Sequence, residues 1–161
     1  MSSVRAIPEG YHTITPAITC KNAASAIDFY KKAFGAQEKM RMSDPGGRVM
    51  HAELKIGNSI LFLGDEFPGM SAAPNPSALP SSSLYVYTEN VDALFGAAVS
   101  AGCKVEMPLA NMFWGDRYGK VTDPFGHHWG LSQHVEDVAP DEMERRSKEW
   151  QASMAKAAGQ N

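Results

Sequence analysis

Between Asn22 and Gly35 the apolar residues Ala23, Ile27, Tyr30 and Phe34 recur at spacings of three and four, which predicts an amphipathic helix with one buried face. Asn22 can accept a bond from the first free amides, and Gly35 can take the left-handed conformation that ends a helix. A second segment with the same punctuation runs from Asn90 to Gly102, with Val91, Leu94, Phe95, Ala98 and Val99 as its stripe. Asn90 follows Asn22 by 68 positions and Gly102 follows Gly35 by 67, so a repeated unit is expected.

The strands keep step with the helices. The extended stretch His12 to Cys20 precedes the first helix, and Leu84-Tyr85-Val86-Tyr87-Thr88 precedes the second. Glu38 to Met42, then His51 to Ile56, a Gly57-Asn58 turn and Ser59 to Leu63 follow the first helix. Lys104-Val105-Glu106, then Arg117 to Thr122, the Asp123-Pro124-Phe125-Gly126 turn and His127 to Ser132 follow the second. The turn glycines Gly57 and Gly126 are 69 positions apart. Each half reads strand, helix, three strands: a first βαβββ module over residues 10–66 and a second over 83–136. Residues 67–82 join them, a stretch rich in Pro, Ser and Ala that reads as a loop and a candidate pocket lid. Pro140, Asp141 and Glu142 open a C-terminal helix expected over 140–157. Its stripe of Met143, Ser147, Trp150 and Met154 either docks on the domain or meets a second subunit.

A chain of 161 residues with 43% hydrophobic residues fits one internally duplicated domain. With 15 Lys+Arg against 18 Asp+Glu, a formal net charge of -3, it offers no basic field for nucleic acid. No apolar run approaches the roughly 20 residues of a membrane span, and Met1 to Ala6 lacks the apolar core of a leader, so a cytoplasmic location away from membranes is expected. The two cysteines, Cys20 and Cys103, sit at matching points of the modules and read as reduced packing residues. Neither stands in a C-x-x-C pair or beside an evident base that would make it a nucleophile.

Several stretches carry a resemblance. They are Asn22 to Ala36, Met50-His51-Ala52-Glu53-Leu54-Lys55-Ile56-Gly57, Trp114-Gly115-Asp116-Arg117-Tyr118-Gly119 and Asp123-Pro124-Phe125-Gly126-His127-His128-Trp129. His134 to Val138 and Pro140 to Arg146 extend the match, which spans roughly residues 10 to 147. The sequence resembles the glyoxalase/bleomycin-resistance/dioxygenase superfamily, the vicinal oxygen chelate proteins, and within it the PhnB-like branch. Related sequences have been labelled ubiquinone-pathway methyltransferases, but no glycine-rich strand-to-helix loop is present to hold a methyl donor. The resemblance implies an α+β fold whose two βαβββ modules form a curved, barrel-like mixed sheet around a cavity, and it favours a homodimer.

Metal-dependent members of the superfamily hold one divalent ion with four side chains, from the first and last strand of each module. Carried over by the helix and Asp-Pro-x-Gly anchors, those positions fall at Thr15, Phe62, Ser83 and Gly130. The pairs Thr15/Ser83 and Phe62/Gly130 each repeat the offset of 68. None is a strong ligand, because such an ion needs imidazole nitrogens or carboxylate oxygens. No cofactor is therefore expected at these positions.

Strand alternation turns His128 towards the cavity and His127 away from it. If Gly57-Asn58 closes a two-residue hairpin, Glu53 lies opposite Phe62, and His51 turns inward with it. His51, Glu53 and His128 are thus candidate catalytic residues, suited either to a displaced divalent metal or to acid/base chemistry. Phe62, Trp114, Arg117 and His128 are the candidate ligand-binding set, apt for a planar or anionic molecule. Alternatively, Phe62 and Trp114 are ordinary core and Arg117 pairs with Asp116 or Glu53. His12 and His134 read as surface or capping residues. Two functions compete: a metal-free binder of a small organic compound, and a glyoxalase-type lyase, isomerase or dioxygenase. A third, assembly through the C-terminal helix, stands behind them.

Overall fold

The computed structural model describes residues 4–159, so part of the leader argument, which rests on Met1 to Ser3, lies outside it. Two four-stranded sheets are present, each flanked by a helix. In the first, β1 (Ala17–Cys20), β2 (Gln37–Ser43), β3 (Val49–Ile56) and β4 (Ser59–Asp65) take the order β1-β4-β3-β2. In the second, β5 (Leu84–Tyr87), β6 (Lys104–Asn111), β7 (Asp116–Thr122) and β8 (His128–His134) take the order β5-β8-β7-β6. The helices α1 (Ala23–Phe34) and α2 (Val91–Ala101) each connect the first and second strand of their module, and α3 (Pro140–Ala158) follows. In each module one parallel pair, β1/β4 or β5/β8, adjoins two antiparallel ones, the mixed topology of a βαβββ unit used twice.

The predicted caps form. The Asn22 side chain accepts from the Ser25 amide and that of Asn90 from the Ala93 amide, while Gly35 closes α1 in the left-handed region. The extended stretch before α1 is shorter than expected: Phe62 still donates its amide to the Pro16 carbonyl, but the strand proper begins at Ala17. β6 is longer, running past Glu106 to Asn111 through two register shifts that bend it. α3 ends within a residue of the expected boundary, and none of its side chains is buried. Arg146 ties it to Glu136, and Trp150 leans on Phe113 with ring centroids 5.6 Å apart.

The core lies on the helix-facing sides of both sheets, where Ala52, Leu54, Leu61 and Leu63 meet Ala23, Ile27 and Tyr30 of α1. Trp129 and Leu131 do the same in the second module. Side chains of α1 also join the modules. Phe34 packs on Trp129 at 4.4 Å between ring centroids, and Tyr30 donates its hydroxyl to Asp123 at 2.6 Å. Trp129 donates to the same carboxylate oxygen at 2.8 Å, so the buried Asp123 is bonded from both modules. Both cysteines are free and buried, and burial pushes each thiol up to about 12. Among the described residues, no helix is long and apolar enough to cross a membrane.

Candidate functional site

The face of each sheet turned away from its helix carries the polar and aromatic groups. On the first module the hairpin register sets Glu53 opposite Phe62, as the Gly57-Asn58 turn predicts. Across β2, Met40 pairs with Glu53 and Met42 with His51, which puts two thioethers on the same face. His51 Nε2 lies 3.2 Å from a Glu53 oxygen, and the His51 ring stands edge-on to Phe62 at 4.8 Å. Tyr11, from the segment before β1, donates its hydroxyl to the other Glu53 oxygen and tilts towards Phe62, while Lys39 caps the Tyr11 ring at 5.0 Å. The Tyr11 hydroxyl, more than His51, holds the Glu53 carboxyl below its ordinary range against the opposing effect of burial. Glu53 is therefore a charged acceptor between a phenol and an imidazole.

The second module presents a different surface. Tyr85 of β5 and Tyr118 of β7 stack at 5.3 Å and 9° directly over Gly130. A Cβ at Gly130 would fall 2.8 Å from Tyr118 and 2.9 Å from Tyr85, so the absence of a side chain there allows the pair to close. Tyr87 extends the wall on one side at 5.2 Å from Tyr85, and Trp114 leans on Tyr118 at 5.9 Å.

Hydrogen bonds beneath fix this wall. The buried Asp116 accepts from Tyr87 at 2.9 Å, from Ser132 at 3.1 Å and from His134 at 2.8 Å, and Tyr85 donates to Ser132 at 3.3 Å. Burial alone would raise the Asp116 carboxyl, but the bonds from His134, Tyr87 and Ser132 outweigh it and hold the group below its ordinary range. His134 also reaches Asp137 at 2.9 Å, and the two carboxylates, Asp137 foremost, raise its imidazole above the usual value. His134 lies at the surface as expected, and there it bridges Asp116 and Asp137.

At the far end of the same face, His128 pairs with Glu106, which also meets Lys120 at 3.0 Å and accepts from Thr122. The expected trio is thus split: His51 and Glu53 are together, and His128 belongs to another cluster. Among the described residues, no three of His, Cys, Asp and Glu converge on one point. Arg117 departs further. It pairs across the sheet with Gln133, on the helix-facing side, and its guanidinium is held by Asp92 at 2.6 and 2.9 Å instead of Asp116 or Glu53. Its neighbour Tyr118 takes the face expected of it, because Tyr118 is the residue registered with Ser132. Of the candidate ligand-binding residues, Trp114 and His128 lie along the second face and Phe62 lies on the first.

The four superfamily positions do not suit a divalent ion. Thr15 and Ser83 precede their strands, Phe62 offers a ring with no donor, and the space over Gly130 belongs to the tyrosine pair. Tyr11, Tyr85, Tyr87, Glu106 and Tyr118 of these faces are not singled out by sequence. The only signal for any of them is Gly130 itself, an in-strand glycine between tyrosine-bearing strands.

Fold and sequence together define the class: the chain belongs to the Glyoxalase/Bleomycin resistance protein/Dioxygenase superfamily, whose family model matches residues 11–131. It is 42% identical over 135 residues to protein Rv0887c of Mycobacterium tuberculosis, covering 81% of this chain and 79% of that protein. Among solved structures, the PhnB protein from Bacillus cereus superposes with a TM-score of 0.61 at 21% identity, covering 76% of this chain and 99% of that one. TnmS3, an antibiotic binding protein from Streptomyces sp. CB03234, superposes with a TM-score of 0.58 at 26% identity, covering 82% of this chain and all of that one.

Proposed function

We propose that this protein binds a flat organic molecule on the open face of its second module, without the divalent ion used by metal-dependent members of its superfamily. The observation that carries this reading is the Tyr85/Tyr118 stack closed over Gly130. Tyr85 and Tyr87 are 46% and 63% exposed, so aromatic surface is held ready for a ligand, and the Asp116 network fixes it before binding. Trp114 adds a ring beside the stack, and the Lys120/His128 end gives a polar or anionic substituent a partner. TnmS3, an antibiotic binder of the same fold, supports binding rather than turnover. The proposal includes a cytoplasmic protein, in keeping with two unpaired thiols, and a homodimer that covers exposed Met40, Met42 and Met107. A thermal-shift screen of flat aromatic compounds, run with and without a chelator, tests the reading. Hits that raise the melting temperature equally in both conditions are expected; shifts abolished by the chelator would contradict it.

A second reading rests on the Tyr11–Glu53–His51 chain, whose charged carboxylate between two proton donors suits acid/base lyase or isomerase chemistry. Turnover of an enolisable carbonyl substrate that disappears in Glu53→Gln would favour it.

A further inference from the structure

A further opening lies elsewhere, in a cleft between the modules. It has a volume of about 730 Å³, and its walls come from both halves: Phe34 of α1, Ile56 and Leu61 of the first sheet, Leu84 and Trp129 of the second, and Leu94 of α2. These belong to the helix-facing sides of the sheets, and the lining meets the Gly130 face only along β5, at Tyr85 and Tyr87. No Asp, Glu, Lys or Arg of the described residues lines it, and His12 is its one imidazole. The polar atoms behind the wall are already satisfied: Trp129 Nε1 and the Tyr30 hydroxyl both donate to Asp123. Thr15, Asn58, Ser59 and Thr88 add only neutral polar groups to a mostly apolar wall, which makes displacement of solvent by an apolar molecule favourable. An ionised ligand would lose its hydration there without gaining a counter-charge. One edge of β5 is unpaired, because β5 bonds only to β8, and Leu84 to Thr88 line the cleft, so main-chain groups are at hand for a single hydroxyl or carbonyl.

We propose that this inter-module cleft is a second binding site, selective for an uncharged, largely apolar small molecule that carries at most hydroxyl or carbonyl groups. It borders the tyrosine face along β5, where Tyr85 and Tyr87 line both, but does not include Tyr118 or Gly130.

Fluorescence titration of the full chain with two dyes sharing one scaffold tests the site: neutral phenylnaphthylamine and anionic anilinonaphthalenesulfonate. Saturable binding of one neutral dye per chain is expected, with the anionic dye at least about tenfold weaker. Leu94→Trp, which fills the cleft, should weaken the neutral dye by about tenfold, whereas Tyr118→Ala should leave its affinity within about twofold. Circular dichroism melting checks the fold of each variant, and Leu84→Phe serves the same purpose if Leu94→Trp does not fold. Absence of saturable binding would overturn the proposal, as would equal affinity for both dyes. Loss of binding in Tyr118→Ala with none in the filled variants would return the dye to the tyrosine face. Affinity that falls as protein concentration rises, tracked by sedimentation, would show that a second copy occupies the cleft.

Discussion

The two modules share a backbone plan and differ most where the plan is exposed. Phe62 and Gly130 stand 68 positions apart at equivalent points of β4 and β8. In the first module a ring fills that point, and His51, Glu53 and Tyr11 gather round it. In the second the point is empty of side chain, and two tyrosines from neighbouring strands close over it. One face became polar and proton-bearing, the other aromatic. The helices differ in the same sense: α1 buries six residues, from Ala23 to Phe34, whereas α2 buries only Val91 and Ala98. The first helix therefore serves both sheets, through Tyr30 and Phe34, and the second is more lightly held. The two modules share their strand order and differ on their open faces.

That contrast can be broken most severely at the joint. Trp129→Ala removes a buried ring packed on Phe34 and Tyr30 and a bond to Asp123, so unfolding in denaturant should show a loss of about 3–5 kcal/mol. Separate transitions for the two modules would show that the Trp129 joint is what couples them, whereas a single transition would show that other contacts also do. At the paired positions, Gly130→Ala forces the tyrosines apart and should destabilise by about 1–3 kcal/mol while weakening ligand binding. Phe62→Ala should fall short of the about 3–5 kcal/mol of a fully buried ring, because Phe62 is only half-buried, and should leave binding to the second face unchanged.

The pH dependence sharpens the contrast further. Asp116 is held below its unfolded value of about 3.9, so its contribution is present above that pH and lost as pH falls through the folded value. His134 is shifted the other way. Its contribution is present below about 6.5 and lost as pH rises through its raised folded value. Denaturation midpoints measured across pH should therefore lose an acid-side slope in Asp116→Asn, and nuclear magnetic resonance should place the His134 titration above that of a model imidazole. The smallest effect is expected at Arg117. Arg117→Ala should leave ligand affinity within about twofold, because its guanidinium is engaged by Asp92 on the opposite side of the sheet.

The fold was legible because its signals are local. Asn22, Gly35, Asn90 and the Gly57 turn act within a few residues, and their repetition at a fixed offset marks two modules. The faces were legible only where one register was fixed by a short turn. Gly57-Asn58 sets Glu53 against Phe62, whereas no two-residue turn pins the register of β7, and Tyr118 takes the inward face expected of Arg117. Glu106 was hidden by the register shifts of β6, which alter the two-residue alternation on which such a reading depends. Tyr11 lies 42 residues from Glu53 in a segment outside any strand, and nothing in its local sequence foretells the bond.

On the proposed function, the tyrosine face and not the carboxylate face holds the ligand. Isothermal titration of one flat compound that stabilises the protein, into wild type, Tyr118→Ala and Glu53→Gln, tests it most directly. The predicted result is an affinity about tenfold weaker or worse in Tyr118→Ala and unchanged in Glu53→Gln; full affinity in Tyr118→Ala together with its loss in Glu53→Gln would contradict the account.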